Sequence, residues 1–232
     1  MIVYGRNPVR EALAGPRSVK RIWAAPGARR EPWLAAVAAI TAEATSDELE
    51  RLSGTASHQG VCAEVAPFRY AGAEELLAGA QPLILALDQV QDPQNLGAIA
   101  RSAECAGAAG LVIPERRSAE VTPAVCKASA GAIEHLPVAK ARNLVDFLAQ
   151  AKRAGLWCYG ADAGGDVAYD AVDFGGPIVL VLGSEGKGLR PRVASACDAL
   201  VSIPLHGSIA SLSVSAAASI LLFAAVRHRS AQ

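Results

Sequence analysis

The chain has 232 residues, of which 52% are hydrophobic and 19% are charged, and its 22 basic residues balance its 22 acidic ones. This composition excludes a disordered chain, and the length allows a large domain, or a large and a small one, without a disulfide or metal to stabilise the core. Because the charges balance, overall charge gives no indication of a polyanionic partner.

The basic residues are unevenly distributed along the chain. Residues 1–30 contain seven of them against a single acid, Glu11. The seven are Arg6, Arg10, Arg17, Lys20, Arg21, Arg29 and Arg30. This asymmetry predicts a basic end that faces a negatively charged partner, the alternative being an ordinary solvated surface.

The cysteines and the N-terminus indicate the cellular compartment in which the protein works. The five cysteines lie far apart and none has C-x-x-C spacing, which argues against a zinc site and a disulfide framework and favours a reducing cytosol. The start, MIVYGRNPVREAL, has no apolar core behind a positive stretch. We therefore expect no signal peptide and a cytoplasmic protein.

The first 66 residues alternate short helices and strands. The sequence predicts a helix from Asn7 to Gly15, strands over 19–24 and 60–65, a helix over 33–44, and a second helix capped by Ser46. Together these predict an α/β domain over residues 1–66. Residues 67–81 contain Pro67, Gly72 and Gly79, and they are predicted to form a linker.

From residue 82 onward, apolar strands alternate regularly with helices. Strands are predicted over 82–87, 110–114, 156–160, 177–183 and 200–204, and helices over 94–106, 122–130, 144–154 and 211–229. This alternation predicts a parallel sheet covered on both faces, in a domain over residues 82–232. Ligands bind at the carboxyl ends of such strands, so the loops after Leu87, Leu182 and Ile203 are of most interest.

Residues 207–226 carry no charge and approach the length of a membrane span. They include five serines and many alanines, so they are only weakly hydrophobic. A buried helix, or one packed at an interface, is therefore favoured over a membrane segment.

The first strand-end loop, DQVQDPQNLGAIAR, opens a helix. Asn95 is predicted to be its N-cap. Arg101 follows within two turns, flanked by Ile99, Ala100 and Ala103. Such surroundings favour a position at an interface or in a site, the alternative being a surface arginine.

The other two loops are rich in glycine and in hydroxyl groups. The glycines of the segment GSEGKGL let its backbone approach a ligand closely, and the alternative is a plain tight turn. The segment is neither G-x-G-x-x-G nor a Walker sequence, which argues against a nucleotide triphosphatase. In the segment PLHGSIASLSVS the serines can cap a helix, and His206 is predicted to be a loop histidine rather than a base. There is no G-x-S-x-G elbow, which argues against a serine hydrolase.

Taken together and in this order, the three loops resemble the SpoU (TrmH) family of SPOUT-class RNA ribose 2′-O-methyltransferases. The matching stretches are DPQNLGAIARSAECAGAAGLVI, VLVLGSEGKGL and VSIPLHGSIASLSVSAAASILLF. YGRNPVREAL and SHQGVCAEV also resemble the small substrate-binding domain of the rRNA-modifying branch. Within the family, the chain is most similar to the subgroup that methylates a guanosine 2′-hydroxyl of 23S rRNA.

The resemblance implies a fold and partners that periodicity alone does not predict. It implies an α/β fold in which the C-terminal parallel-sheet domain contains a deep trefoil knot and the small N-terminal domain is L30e-like. It also implies a homodimer that binds S-adenosylmethionine and RNA, with rRNA favoured over tRNA, and that needs neither a metal nor a membrane.

The resemblance also assigns site residues. Arg101 is implied to be catalytic, Asn95 to position it or the RNA, and Glu185, Ser211 and Ser213 to complete the catalytic set. The cofactor is implied to contact Leu182, Gly183, Gly188, Ile203, Pro204, Ser208 and Leu212. One position departs from the family, because the third motif normally reads S-L-N-V-S and here Ser213 replaces the asparagine.

Three alternatives stay open. The first is a tRNA 2′-O-methyltransferase. The second is a non-catalytic RNA-binding or ribosome-assembly protein on the same scaffold, which only Ser213 favours. The third, a nucleotide-binding α/β enzyme that uses the Gly-rich loop, lacks the expected fingerprints.

Overall fold

The computed structural model describes residues 1–209 and 211–230. The strands are β1 (Ile2–Tyr4), β2 (Val19–Ala24), β3 (Thr41–Glu43), β4 (Val61–Val65), β5 (Leu83–Asp88), β6 (Gly110–Pro114), β7 (Val138–Ala141), β8 (Trp157–Ala161), β9 (Val167–Ala168), β10 (Ile178–Gly183) and β11 (Ala199–Ser202). The α-helices are α1 (Arg6–Ala14), α2 (Pro32–Ala35), α3 (Ser46–Ser53), α4 (Pro93–Cys105), α5 (Pro123–Ala128), α6 (Leu144–Arg153), α7 (Pro191–Ala194) and α8 (Val214–Ser230).

The elements form two units, and the first is assembled from two stretches of chain. Residues 1–69 and 120–135 make up this unit, and residues 70–119 with the described residues from 136 onward make up the second. The sheet of the first unit has the strand order β1-β4-β2-β3. β4 pairs antiparallel with β1 and β2, whereas β2 and β3 are parallel.

The prediction of a helix over residues 33–44 is wrong. Only α2 and a short 3-10 turn over Ala38–Ile40 form there, and β3 follows directly. The stretch contains β-branched residues that favour strands, and Thr41 lies opposite Ile22 of β2 in the sheet. Pairing with β2 therefore outweighs the helical spacing of the alanines.

The N-cap of α3 is Thr45 and not the predicted Ser46. Thr45 Oγ1 accepts a hydrogen bond from the Glu48 N–H at 3.3 Å, and the Glu48 carboxylate accepts one from the Thr45 N–H at 2.7 Å. These reciprocal bonds form a capping box. The bonds from Thr45 hold the pKa of Glu48 below its ordinary value.

A buried ion pair connects the two stretches of the first unit. The Arg17 Nε donates to Glu134 Oε2 at 2.7 Å, and the side chains of Arg17 and Glu134 are only 6% and 0% exposed. Burial by itself lowers the pKa of Arg17, but the hydrogen bonds and charge of Glu134 raise it above its ordinary value. A buried arginine without this carboxylate would be strongly destabilising, so residues 120–135 are integral to the unit.

The second unit contains a parallel sheet, as predicted. Its strand order is β7-β6-β5-β10-β8-β11-β9, and every neighbouring pair is parallel. The two central strands, β5 and β10, are buried along their whole length. Gly183 pairs with Asp88, so the carboxyl ends of both strands lie side by side. The trefoil knot is not tested by strand order and stays a prediction.

The last helix, α8, packs on α4 and β10 through an apolar face. Its buried residues are Val214, Ala218, Leu221, Leu222 and Ala225. The helix begins three residues later than predicted, because Ser213 caps it by accepting a hydrogen bond from the Ala216 N–H at 3.2 Å. Among the helices that the structure describes, none has the length and apolar character that a membrane crossing requires.

Candidate active site

The Gly-rich loop after β10 closes into a tight turn. The Ser184 N–H donates to the Gly188 carbonyl at 3.1 Å, and the Gly188 N–H donates back to the Ser184 carbonyl at 2.9 Å. Gly186 and Gly188 have φ angles of 79° and 63°, which favour glycine. A methyl group at Gly183 would overlap the Gly188 backbone, so glycine is required there for the loop to close.

The helix that follows β5 is capped by Asp92, and the prediction of Asn95 as its cap is wrong. Asp92 Oδ1 accepts from the Gln94 N–H at 2.9 Å, and Pro93 occupies the first helical position. The consequence is that the amide of Asn95, the third residue of α4, is free to make contacts outside its own helix.

Asn95 links the three loops by hydrogen bonds, an arrangement we call the amide bridge. The Asn95 Nδ2 donates to Glu185 Oε2 of the Gly-rich loop at 3.2 Å. The Ser215 hydroxyl donates to Asn95 Oδ1 at 3.0 Å, and Ser213 lies 3.2 Å from Ser215 through their hydroxyl oxygens. One residue of the first loop thus contacts the second and the third, which places the family motifs in a single site.

A cavity of about 320 Å³ lies between the Gly-rich loop and the third loop. Seven predicted site residues line it, namely Leu182, Gly183, Glu185, Gly188, Ile203, Ser211 and Leu212. Two predicted cofactor contacts, Pro204 and Ser208, are exposed and are not part of this lining. The walls are mainly apolar, and polar groups are concentrated at the Gly-rich loop.

Arg101 lies on α4, next to the contact between α4 and α8. Its neighbour Ser102 lies 2.8 Å from Ser219 of α8, measured between hydroxyl oxygens. Arg101 itself is exposed, and it forms no hydrogen bond or ion pair with the part of the chain that the structure describes. Its guanidinium is therefore available to a ligand.

Two acidic residues near the site were missed from the sequence. Asp162 follows β8 and lines the cavity, and its Oδ1 accepts from the Gly164 N–H at 2.8 Å. Asp88, at the end of β5, is 1% exposed and accepts from the Arg190 backbone N–H at 2.9 Å and from Arg190 Nε at 2.8 Å. Asp88 thereby anchors the chain just after the Gly-rich loop. Asp88 ends a strand and Asp162 directly follows one, and this position at the carboxyl ends of strands is the signal that could have identified them.

The basic excess of residues 1–30 is largely neutralised within the first unit. Five of the seven side chains form ion pairs, namely Arg6–Glu31, Arg10–Glu11, Arg17–Glu134, Lys20–Glu64 and Arg29–Glu43. Arg21 lies over the Trp23 ring at 5.4 Å, and Arg30 is exposed. The expectation of a strongly basic end therefore overestimates the charge that a partner would meet.

The cysteines offer no nucleophile to this site. Burial is the main cause that raises the pKa of Cys158 to about 12 and that of Cys62 to about 11. Cys105 is exposed, but it is the last residue of α4, whereas Asn95 lies in the first turn of that helix. No group of three or more His, Cys, Asp or Glu side chains that could hold a metal ion occurs within residues 1–209 and 211–230.

Comparison with known proteins identifies both parts of the chain. A family model described as the SpoU rRNA Methylase family matches residues 82–223. A second model, described as RNA 2′-O ribose methyltransferase substrate binding, matches residues 2–71. The first match covers all three loops of the site, and the second covers the four strands of the sheet in the first unit.

Similar proteins match this chain over nearly its whole length. An uncharacterized tRNA/rRNA methyltransferase of Mycolicibacterium vanbaalenii is 43% identical over 98% of this chain and 76% of its own length. YacO of Bacillus subtilis, named as a TrmH family tRNA/rRNA methyltransferase, is 39% identical over 98% of this chain and 95% of its own. The SpoU methyltransferase AviRb from Streptomyces viridochromogenes, solved in complex with the cofactor AdoMet, has a TM-score of 0.84 at 27% identity and covers 99% of this chain and 90% of its own. This chain belongs to the SpoU rRNA methylase family.

Proposed function

We propose that this protein methylates a ribose 2′-hydroxyl in structured RNA with S-adenosylmethionine as the methyl donor, and that the target is a guanosine of 23S rRNA. The observation that carries the proposal is the amide bridge, in which Asn95 joins Glu185 and Ser215 beside the cavity. Three motifs that are separate in sequence supply one polar cluster next to one apolar pocket.

The lining of the cavity fits this donor. Its volume of about 320 Å³ lies within the range of small-molecule pockets, and Leu182, Ile203 and Leu212 offer apolar walls for an adenine ring. Asp162, Glu185 and Lys187 are the charged residues of the lining, so its net charge is negative by one, which complements a positively charged ligand. When bound, the donor supplies a sulfonium methyl that is already activated for transfer.

The chain must then orient the ribose and assist loss of its proton. Arginine is effectively always charged in proteins, so we assign to Arg101 the binding of the target phosphate or the polarisation of the 2′-hydroxyl. Its exposure and its lack of partners among the described residues support this role. Asn95, which the amide bridge holds in place, is assigned a positioning role.

The test compares Arg101→Ala with Arg153→Ala, which removes an exposed arginine at the far end of α6. We expect Arg101→Ala to abolish methyl transfer to deproteinised 23S rRNA and to leave S-adenosylmethionine affinity, measured by calorimetry, nearly unchanged. Arg153→Ala should retain both. Surviving turnover in Arg101→Ala would refute the assignment.

The same assay separates the alternatives. Relatives are named as tRNA/rRNA methyltransferases, so tRNA is tested beside rRNA. The target is identified as the ribose methylation that is lost from the RNA of cells that lack this protein. A non-catalytic RNA-binding protein would give RNA binding without methyl transfer. Ser213 gives that alternative little support, because its hydroxyl caps α8 as an asparagine would.

We further propose that the protein acts as a homodimer through α8. Phe223, near the middle of this helix, is 49% exposed although the helix carries no charge before Arg227. A large aromatic side chain in that position fits a contact between identical subunits. Sedimentation of Phe223→Asp should then show a monomer where the unchanged protein shows a dimer.

A further inference from the structure

Exposed arginines follow two neighbouring strands at the carboxyl edge of the parallel sheet. Arg116 and Arg117 follow β6, and Arg142 follows β7. Pro114 pairs with Ala141, and the Glu115 N–H continues the ladder by donating to the Ala141 carbonyl at 3.0 Å. Neighbouring strands lie about 4.8 Å apart, so Arg116 and Arg142 emerge side by side.

A fourth arginine extends this group towards the Gly-rich loop. Arg192 lines a cavity of about 540 Å³ together with Asn143, the residue after Arg142. Arg190 lines the same cavity, but its charge is already matched by the buried Asp88. We call Arg116, Arg117, Arg142 and Arg192 the arginine rim.

The arginine rim has an excess of unmatched positive charge. Apart from Arg190, which Asp88 matches, the segments 115–118, 142–146 and 190–193 contain the four arginines of the rim against two acids, Glu115 and Asp146. The four arginines of the rim are exposed, and none of them forms a hydrogen bond or ion pair with any described residue. Towards the edge of the sheet opposite β7, Asp162 follows the end of β8 and Asp170 follows the end of β9. The carboxyl edge is therefore electrostatically polarised from one side to the other.

The backbone at Arg117 adds an independent observation. Its φ angle of 59° is a left-handed conformation that glycine adopts freely and arginine does not. The loop is held there because the Ala119 N–H and the Ser118 hydroxyl both donate to the Val90 carbonyl, at 2.8 and 3.2 Å. Such conformations persist where the surrounding structure enforces them, and they concentrate at ligand-binding sites. These bonds fix the loop that carries Arg116 and Arg117.

We propose that the arginine rim binds the phosphate backbone of the substrate RNA, so that the RNA reaches the methyl-transfer site from the side of β7 and β6. The proposal rests on the proposed function, because it takes RNA as the substrate. Guanidinium groups pair with phosphate oxygens through two parallel hydrogen bonds, and phosphate contacts position a nucleic acid without reading its sequence. The acidic strand ends beyond β8 repel the same backbone and so give the RNA one direction of approach.

The test uses Arg142→Ala, Arg192→Ala and the double variant Arg116→Ala/Arg117→Ala, with Arg153→Ala as the matched control. Arg142 lies between β7 and α6, and Arg153 is the last residue of α6; both are exposed. The two substitutions therefore remove the same charge from the carboxyl and the amino ends of the strands. Binding to deproteinised 23S rRNA is measured at several salt concentrations. KM, kcat and S-adenosylmethionine affinity are measured in parallel.

We expect each rim substitution to weaken RNA binding about three- to tenfold and to reduce the salt dependence by about 0.7–0.9 for each phosphate that the variant no longer binds. KM for RNA should rise while kcat at saturating RNA and the affinity for S-adenosylmethionine stay constant. Arg142→Lys should recover most of the salt dependence, because it restores the charge, and a folding defect would not be rescued in this way.

Several results would overturn the proposal. These are rim variants that bind RNA as the unchanged protein does, an equal loss in Arg153→Ala, or a loss of affinity without a change in salt dependence, which would show that the rim arginines do not contact phosphates. The two proposals fail separately. RNA binding through the rim without methyl transfer contradicts the proposed function alone, whereas methyl transfer with an unchanged KM in the rim variants contradicts the rim alone.

Discussion

Replacement of Asn95 tests the amide bridge directly. Asn95→Ala removes a hydrogen bond to a carboxylate at 3.2 Å and one from a hydroxyl at 3.0 Å. For partly exposed groups these contribute together about 2 kcal/mol, which corresponds to about a thirtyfold loss of methyl transfer if the whole effect falls on the transition state. Asn95→Asp should be worse, since it also places a second carboxylate beside Glu185.

The size of that additional effect follows from Coulomb's law. Two unit charges about 4 Å apart repel by about 1 kcal/mol in water and about 4 kcal/mol near a protein surface. The carboxylate of Asn95→Asp can still accept from the Ser215 hydroxyl, which offsets about 1 kcal/mol of this repulsion. At the protein-surface value of the repulsion, the activity of Asn95→Asp should therefore lie below that of Asn95→Ala. Initial rates at saturating RNA provide the assay, and Gln94→Ala, an exposed neighbour on the same helical turn, is the control. Asn95→Asp matching or exceeding Asn95→Ala, or an equal loss in Gln94→Ala, would refute the reasoning.

Three further predictions concern the loops and the first unit. Ser213→Asn should preserve or raise methyl transfer, because asparagine caps helices as well as serine does; a large loss would show that the site depends on the hydroxyl. Gly183→Ala should weaken S-adenosylmethionine binding measured by calorimetry and lower stability by about 1–3 kcal/mol, because its methyl overlaps the Gly188 backbone, whereas Gly176→Ala, with open space around it, should change neither. For Glu11, burial acts to raise the pKa, but hydrogen bonds from His135 and Arg10 lower it below its ordinary value of 4.5. Its contribution to stability is thus present above that value and lost as the pH falls. Urea unfolding should show Glu11→Gln less stable by about 0.2–1 kcal/mol near neutral pH and equal to the unchanged protein in acid; a constant difference would contradict the linkage.

Much of the second unit could be predicted because its strands are apolar runs with clear ends. The strand predicted over 82–87 differs from β5 by one residue at each end, and the strand predicted over 177–183 begins one residue before β10. In a parallel sheet both faces are buried, so hydrophobicity alone marks the strand. The loops after β5, β10 and β11 were identified for the same reason, because ligands bind at the carboxyl ends of such strands.

Helix starts were harder to predict, because several residues in a row can cap a helix. Asp92, Asn95, Thr45 and Ser46 are all good capping residues, and only the fold selects among them. The sequence did contain a usable signal, since Pro93 favours the first helical position and so indicates Asp92. The error mattered, because a capping Asn95 could not have formed the amide bridge.

Contacts between distant residues were beyond the sequence. The basic start of the chain is neutralised by acids as far away as Glu64 and Glu134, and such pairs leave no local pattern. Nor does any local pattern show that residues 120–135 pack with the first unit. Asp162 was missed although Gly164 and Gly165 follow it, because the loop after β8 lies outside the three stretches that resemble the family.

The split composition of the first unit has a consequence for its biogenesis. Arg17 leaves the ribosome 117 positions ahead of Glu134. At about 5–20 residues per second, translation delays the arrival of that carboxylate by about 6–23 seconds. The nascent N-terminal segment therefore cannot mature before much of the downstream chain has been synthesised, and a fragment released at residue 69 would expose an unmatched guanidinium to chaperones and proteases.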